Sequence, residues 1–248
     1  MPVRLADRSV KPREEGITHV LDRGLSIAQV DGMIEVAGAF VDIVKLGWGT
    51  ALATQNLAVK LARYREHDIP VVLGGTLTEL AIQQDRVDDL IAWLRELGLD
   101  HVEVSDGTIA IEPERKRELI RRLAGEGFVV LSEVGSKDAA TIMAPYRWVE
   151  QIQAELEAGA WKVIAEARES GTAGIFRPDG EVRMGLIDEI AHAVDVSRML
   201  FEAPRKDQQV WFLRQFGAEC NLGNITPDDV LGLETLRLGL RSDTMSSQ

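Results

Sequence analysis

The feature that most constrains this 248-residue chain is its alternation of short, β-rich apolar runs with helical stretches. Eight such runs lie near 19–22, 41–45, 71–74, 101–105, 129–134, 162–167, 199–203 and 220–223. Between them the apolar residues recur at helical spacing. Val87, Leu90, Ile91, Leu94 and Leu97 share one face, as do Leu186, Ile187, Ile190 and Val194, and Val149, Ile152 and Leu156. Start signals agree: Ser26 is placed to cap the first helix, Pro113 suits a first turn, and Thr226-Pro227 reads as a cap followed by Pro. Strict alternation requires parallel strands joined by right-handed crossovers. Eight units predict closure into a (β/α)8 TIM barrel, for which about 250 residues is typical. A doubly wound open sheet is the alternative. No linker or composition break interrupts the chain, so residues 1–248 are expected to form one domain with a short N-terminal extension and a C-terminal tail.

Charge and motifs exclude several function classes. With 28 Lys plus Arg against 40 Asp plus Glu, the net charge is -12. That opposes non-specific nucleic-acid or anionic-membrane binding, yet a local basic pocket for an anion remains compatible. Cys220 is the only cysteine, so no internal disulfide is expected and a reducing compartment fits. The polar N-terminus has no signal-peptide core and no apolar run has membrane-spanning length, so a cytoplasmic location is expected. Neither GxGxxG nor Walker A is present, nor any Cys/His cluster with zinc spacing. His67 and His192 fall on helices, and His19 and His101 fall near strand starts.

Side chains alternate across a strand. Parity set from the apolar members predicts Asp22, Lys45, Glu103, Glu133, Glu166, Glu202 and Asn221 as the last inward residues, with Arg168 two beyond Glu166. Strand 3 offers Gly74-Gly75-Thr76 instead. Carboxylates gathered at one mouth need a cation or basic side chains among them. One reading is a hard divalent cation, Mg2+, on Glu103, Glu133 and Glu166, with Glu202 and Asp106 as substitutes. The other is a structural ion-pair network. Lys45, Lys137, Arg168, Arg205 and Lys206 are placed to meet an anionic substrate. Gly49, within Gly47-Trp48-Gly49-Thr50, and the Gly223-Asn224 pair offer backbone approach to an anion. Two long connections, 137–147 and 169–183, follow strands 5 and 6. The second carries a Pro178-Asp179-Gly180 turn that predicts a short hairpin.

The strand-end motifs together are specific. They include Val44-Lys45-Leu46-Gly47-Trp48-Gly49-Thr50, Gly74-Gly75-Thr76-Leu77 and Glu103-Val104-Ser105-Asp106-Gly107. Ser132-Glu133-Val134-Gly135-Ser136-Lys137, Glu166-Ala167-Arg168-Glu169-Ser170-Gly171, Glu202-Ala203-Pro204 and Asn221-Leu222-Gly223-Asn224-Ile225 continue the series. From Lys11 to Thr244 the chain resembles the phosphosulfolactate synthase family. That resemblance implies a (β/α)8 barrel enzyme that adds sulfite to phosphoenolpyruvate in a Mg2+-dependent reaction, giving (2R)-O-phospho-3-sulfolactate on one route to coenzyme M. Relatives include plant heat-stress-associated proteins. For that chemistry, Lys137 is expected to protonate C2, Lys45 to contact an anionic group, and Arg168 to bind phosphate or sulfonate. The alternatives are another Mg2+-dependent lyase or aldolase on a small phospho- or keto-acid, a Schiff-base enzyme using Lys45, and a non-catalytic barrel. A homo-oligomer is left open.

Overall fold

The structure is a computed structural model that describes residues 3, 5–135 and 143–245. Eight parallel strands form one sheet: β1 Thr18–Asp22, β2 Ile43–Leu46, β3 Val71–Leu73, β4 His101–Val104, β5 Val129–Val134, β6 Lys162–Ala165, β7 Met199–Glu202 and β8 Leu222–Ile225. Their order is β3-β2-β1-β8-β7-β6-β5-β4. The terminal strands β3 and β4 lie side by side, so the sheet curls into a nearly closed (β/α)8 TIM barrel with helices between the strands. Helix signals hold in position. Ser26 forms a capping box with Gln29 ahead of Ile27–Ala37, and Pro113 opens Pro113–Gly125. Thr226 precedes a 3-10 turn, Pro227–Asp229, without a side-chain cap bond. The turn at Pro178 closes a small hairpin, with Phe176 bridged antiparallel to Val182.

Two apolar layers hold the barrel. Outside the sheet, Val20, Val44, Val104, Val134 and Phe201 pack against helix faces such as Leu90, Ile91 and Leu94. Inside, Ile17, Ile43, Val72, Leu131, Ile164 and Leu200 fill the lower half. The next inward residue on β2, β5 and β7 is Lys45, Glu133 and Glu202, so the filling changes from apolar to ionic one step up each strand. Cys220 packs in the outer layer, where burial pushes its thiol up to about 12.

Two strand-end assignments fail. Asp22 faces the helices, where it pairs with Lys60 Nζ at 2.6 Å and accepts from Tyr64 Oη at 2.9 Å. Its other oxygen takes the N–H groups of Gly24 and Leu25. Leu21 lines the mouth in its place. β1 carries an apolar residue of each parity, Val20 and Leu21, so hydrophobicity left the facing of Asp22 open. Asn221 sits at the opposite end of the barrel. Its amide donates to Ser197 O and Met199 O and accepts from Ile17 N–H, tying strand starts together.

Candidate active site

A cavity of about 160 Å³ opens at the C-terminal ends of the strands, the end where TIM-barrel enzymes place their sites. Its wall includes Lys45, Glu103, Glu133, Glu166, Glu202 and Arg168, from β2 and from β4 to the loop after β6 and β7. Lys45 is the centre. Its Nζ lies 3.2 Å from Glu103 Oε2, 3.2 Å from Glu202 Oε1 and 4.0 Å from Glu133 Oε2. Burial opposes the charge on Lys45, but Glu103, Glu202, Glu133 and Glu166 together outweigh it and hold the pKa well above its usual value. Burial drives Glu202 the other way for an acid, up to about 7, even with Lys45 beside it.

Backbone amides orient the same carboxylates. Gly75 N–H donates to Glu103 Oε1 at 2.6 Å, and a Cβ at Gly75 would lie 2.9 Å from that oxygen. Ala167 N–H donates to Glu202 Oε2 at 3.0 Å, and Arg168 N–H to Glu166 Oε1 at 2.5 Å. Arg168 makes that last contact from a left-handed backbone, φ 58°, and is an exposed residue on the cavity lining. Trp48, φ 58°, and Asn224, φ 54°, are also left-handed and on the wall. Strain of this kind in non-glycine residues concentrates at functional sites. Trp48 is 57% exposed, and the Arg23 guanidinium sits over its ring at 5.4 Å.

The structure thus brings Lys45, Glu103, Glu133, Glu166, Arg168 and Asn224 together and leaves other candidates elsewhere. Lys206 is off the cavity, paired with Asp243 at 2.7 Å and half-exposed. Arg205 pairs with Asp207. Asp106 pairs with Lys116 at 2.9 Å, outside the barrel. Gly49 precedes a single helical turn, Thr50–Ala53, beside the wall. Gly223 faces the barrel interior, where a Cβ would meet Leu200 and His19. Lys137 lies outside the described residues.

The sequence reading missed the supports behind the wall. Lys116 donates to Glu133 O at 2.6 Å and pairs with Glu155 at 2.8 Å; Glu155 also meets Ser132 Oγ. Burial pushes Glu155 up to about 7 despite Lys116. Glu79 receives Ser105 Oγ and the N–H groups of Thr108 and Ile109, fixing the loop after β4. The available signal was a charge on a core-facing helix stripe: Lys116 with Ile120 and Leu123, and Glu155 with Trp148 and Ile152. His19, expected at the stability end, is fully buried inside the barrel, and burial and Lys45 push its pKa down.

Among the described residues no three carboxylate, imidazole or thiol groups converge as a metal cluster. The donor chemistry nonetheless suits a hard cation. Five carboxylates line one cavity, and of the four that act on Lys45, Glu133 and Glu166 are the two it approaches least closely. Mg2+ commonly takes one or two carboxylates and completes its shell with waters and substrate. No helix among the described residues is long and apolar enough to cross a membrane.

Comparison with known proteins converges on one family. The model of the (2R)-phospho-3-sulfolactate synthase (ComA) family matches residues 6–243. A phosphosulfolactate synthase of Bacillus subtilis is 42% identical over 245 residues, covering 98% of this chain and 97% of that protein. One from Methanothermobacter thermautotrophicus is also 42% identical, covering 96% and 94%. Among solved structures, a 3-hexulose-6-phosphate synthase superposes with a TM-score of 0.54 at 17% identity, covering 89% of this chain and 98% of that one, a likeness of fold.

Proposed function

Because this chain belongs to the (2R)-phospho-3-sulfolactate synthase (ComA) family of enzymes, we propose that it joins sulfite to phosphoenolpyruvate to give (2R)-O-phospho-3-sulfolactate. The observation that carries the reading is the small cavity in which Lys45 and Arg168 stand among carboxylates at the strand ends. The sulfite sulfur attacks the methylene carbon, forming the C–S bond. The C2–C3 double-bond pair moves toward the substrate carboxylate, and a proton delivered to C2 completes the addition. Atoms and charge balance with one proton taken up, and no covalent protein intermediate is needed.

Lys45 holds positive charge at the cavity floor, fixed by Glu103 and Glu202. Arg168 presents a planar guanidinium suited to phosphate or sulfonate. Leu21 and Gly74 line the wall without adding charge. Glu133 and Glu166 would hold a Mg2+ ion, which when bound supplies Lewis-acid stabilisation of charge on the substrate carboxylate. Lys137 is proposed as the proton donor to C2, and coenzyme M formation as the use of the product.

Purified protein incubated with phosphoenolpyruvate, sulfite and Mg2+ is expected to yield phosphosulfolactate by mass spectrometry, with each component required. Absence of any sulfite-dependent product across varied conditions overturns the reaction. Full activity after thorough chelation overturns only the metal.

A further inference from the structure

Strand β8 carries one residue more than the stretch of β1 opposite it. Thr18 registers with Leu222, but Val20 registers with Ile225. The extra residue makes a β-bulge at Gly223 and Asn224, and Asn224 adopts a left-handed φ of 54°. In a regular strand Asn224 would face the helices, since its neighbour Gly223 faces inward. The bulge re-aims it onto the cavity wall, as bulges beside active sites do. There it is only 4% exposed. Its Oδ1 is sealed from solvent and has no hydrogen-bond partner among the described residues.

A buried carbonyl oxygen without a donor is unfavourable, so a ligand reaching it must bring a donor or a positive charge. The rest of the wall points the same way. Among the described residues lining the cavity, Glu103, Glu133, Glu166, Glu169 and Glu202 oppose Lys45 and Arg168. A bare oxyanion against Oδ1 would add repulsion; the hydrated shell of a hard cation would supply donors. We propose that Asn224 is a positioning residue for a divalent cation in this cavity, its Oδ1 accepting a hydrogen bond from a cation-bound water. This rests on the Mg2+ reading above and replaces the expected role of Asn224 as an anion contact.

Asparagine also tolerates left-handed backbone, so conformation alone is the competing reason for its presence. Glycine separates the two, because it keeps the backbone and removes the amide. Mn2+ is titrated calorimetrically, without substrate, into wild type, Asn224→Gly and Asn224→Asp. Mn2+ affinity is expected to fall about 10-fold in Asn224→Gly, the scale typical of outer-shell metal partners, with its thermal midpoint retained. Asn224→Asp, which keeps an oxygen in place, should bind at least as tightly as wild type. An Asn224→Gly protein that binds Mn2+ like wild type overturns the inference and leaves the residue a backbone choice. A wild type that binds phosphoenolpyruvate but shows no saturable Mn2+ binding overturns the cation reading beneath it, so the two failures are distinct.

Discussion

Replacing Lys45 by methionine tests the electrostatic core of the site. The substitution keeps an unbranched side chain and removes an ammonium that lies 3.2 Å from both Glu103 and Glu202. Deleting one partner of a buried ion pair costs about 3–5 kcal/mol. At roughly 2–4 °C per kcal/mol for a chain of this size, the melting midpoint should fall by about 6–20 °C. The loss should also depend on pH. A free glutamate titrates near about 4.3. Burial already places Glu202 at about 7, against the pull of Lys45, and without that pull it rises further. An acid with a raised folded pKa takes up its proton in the native state first. The stability from that uptake is present below the unfolded value and lost as pH rises through the folded one. Lys45 itself stays charged throughout this window. The variant should therefore approach wild type near about pH 5 and fall furthest behind near about pH 8. Circular-dichroism melting of both proteins across that range decides it. A deficit that is constant, or largest in acid, would refute the claim that Lys45 acts by neutralising these carboxylates.

Other consequences follow from the same geometry. The pH profile of kcat/KM should carry an ionisation near about 7 from Glu202, and Glu202→Gln should lack it; an unchanged inflection moves the assignment elsewhere. Arg168→Lys should raise KM clearly, since a point charge cannot reproduce the planar fork; wild-type kinetics would make Arg168 a surface residue. In Gly75→Ala the new Cβ would lie 2.4 Å from Ser105 Oγ and displace Glu103. A misplaced site residue can cost about 100-fold in rate, so kcat/KM should collapse, and the melting midpoint should fall as well because the displaced Glu103 also leaves Lys45. Lys137→Ala should lower kcat by about 10²–10⁴-fold with phosphoenolpyruvate binding retained, whereas Lys45→Ala should weaken binding; the opposite pattern exchanges the two roles.

The barrel was legible because its units repeat. Val129–Val134 was read at its observed limits, most other strands differ by one or two residues at one end, and β2 and β8 are displaced at both ends. The site was legible where a strand alternates clearly. Leu131 and Glu133, Ile164 and Glu166, and Leu200 and Glu202 stack inward in pairs, so parity from the lower residue gives the upper one. It failed at β1, where Asp22 finds its partners Lys60 and Tyr64 on a helix outside the sheet, and at Asn221, which precedes its strand rather than ending it. Asn224 needed the extra residue in β8, a property of pairing between strands distant in sequence. The cation that the carboxylates required was visible as Lys45, but its central position depended on side-chain reach across the barrel. Lys116 and Glu155 passed unremarked because a charge on an apolar stripe reads as a surface interruption until its partners are seen.

The seam between β3 and β4 has a consequence for cooperativity. The two strands adjoin without pairing in the sheet, yet side chains stitch across the gap. Glu103 of β4 takes the Gly75 N–H, Thr78 Oγ1 donates to Glu103 O, and Glu79 receives Ser105 Oγ. Glu103 is therefore both a wall of the cavity and a clasp of the cylinder. Opening the seam would release that carboxylate from Gly75 and from Lys45 in one movement. Local unfolding and loss of the binding site become the same event, so occupancy of the cavity is linked to closure of the barrel. Amide exchange around Gly75 and Ser105 should slow on substrate binding more than exchange in β6 or β7, where continuous pairing already holds the sheet.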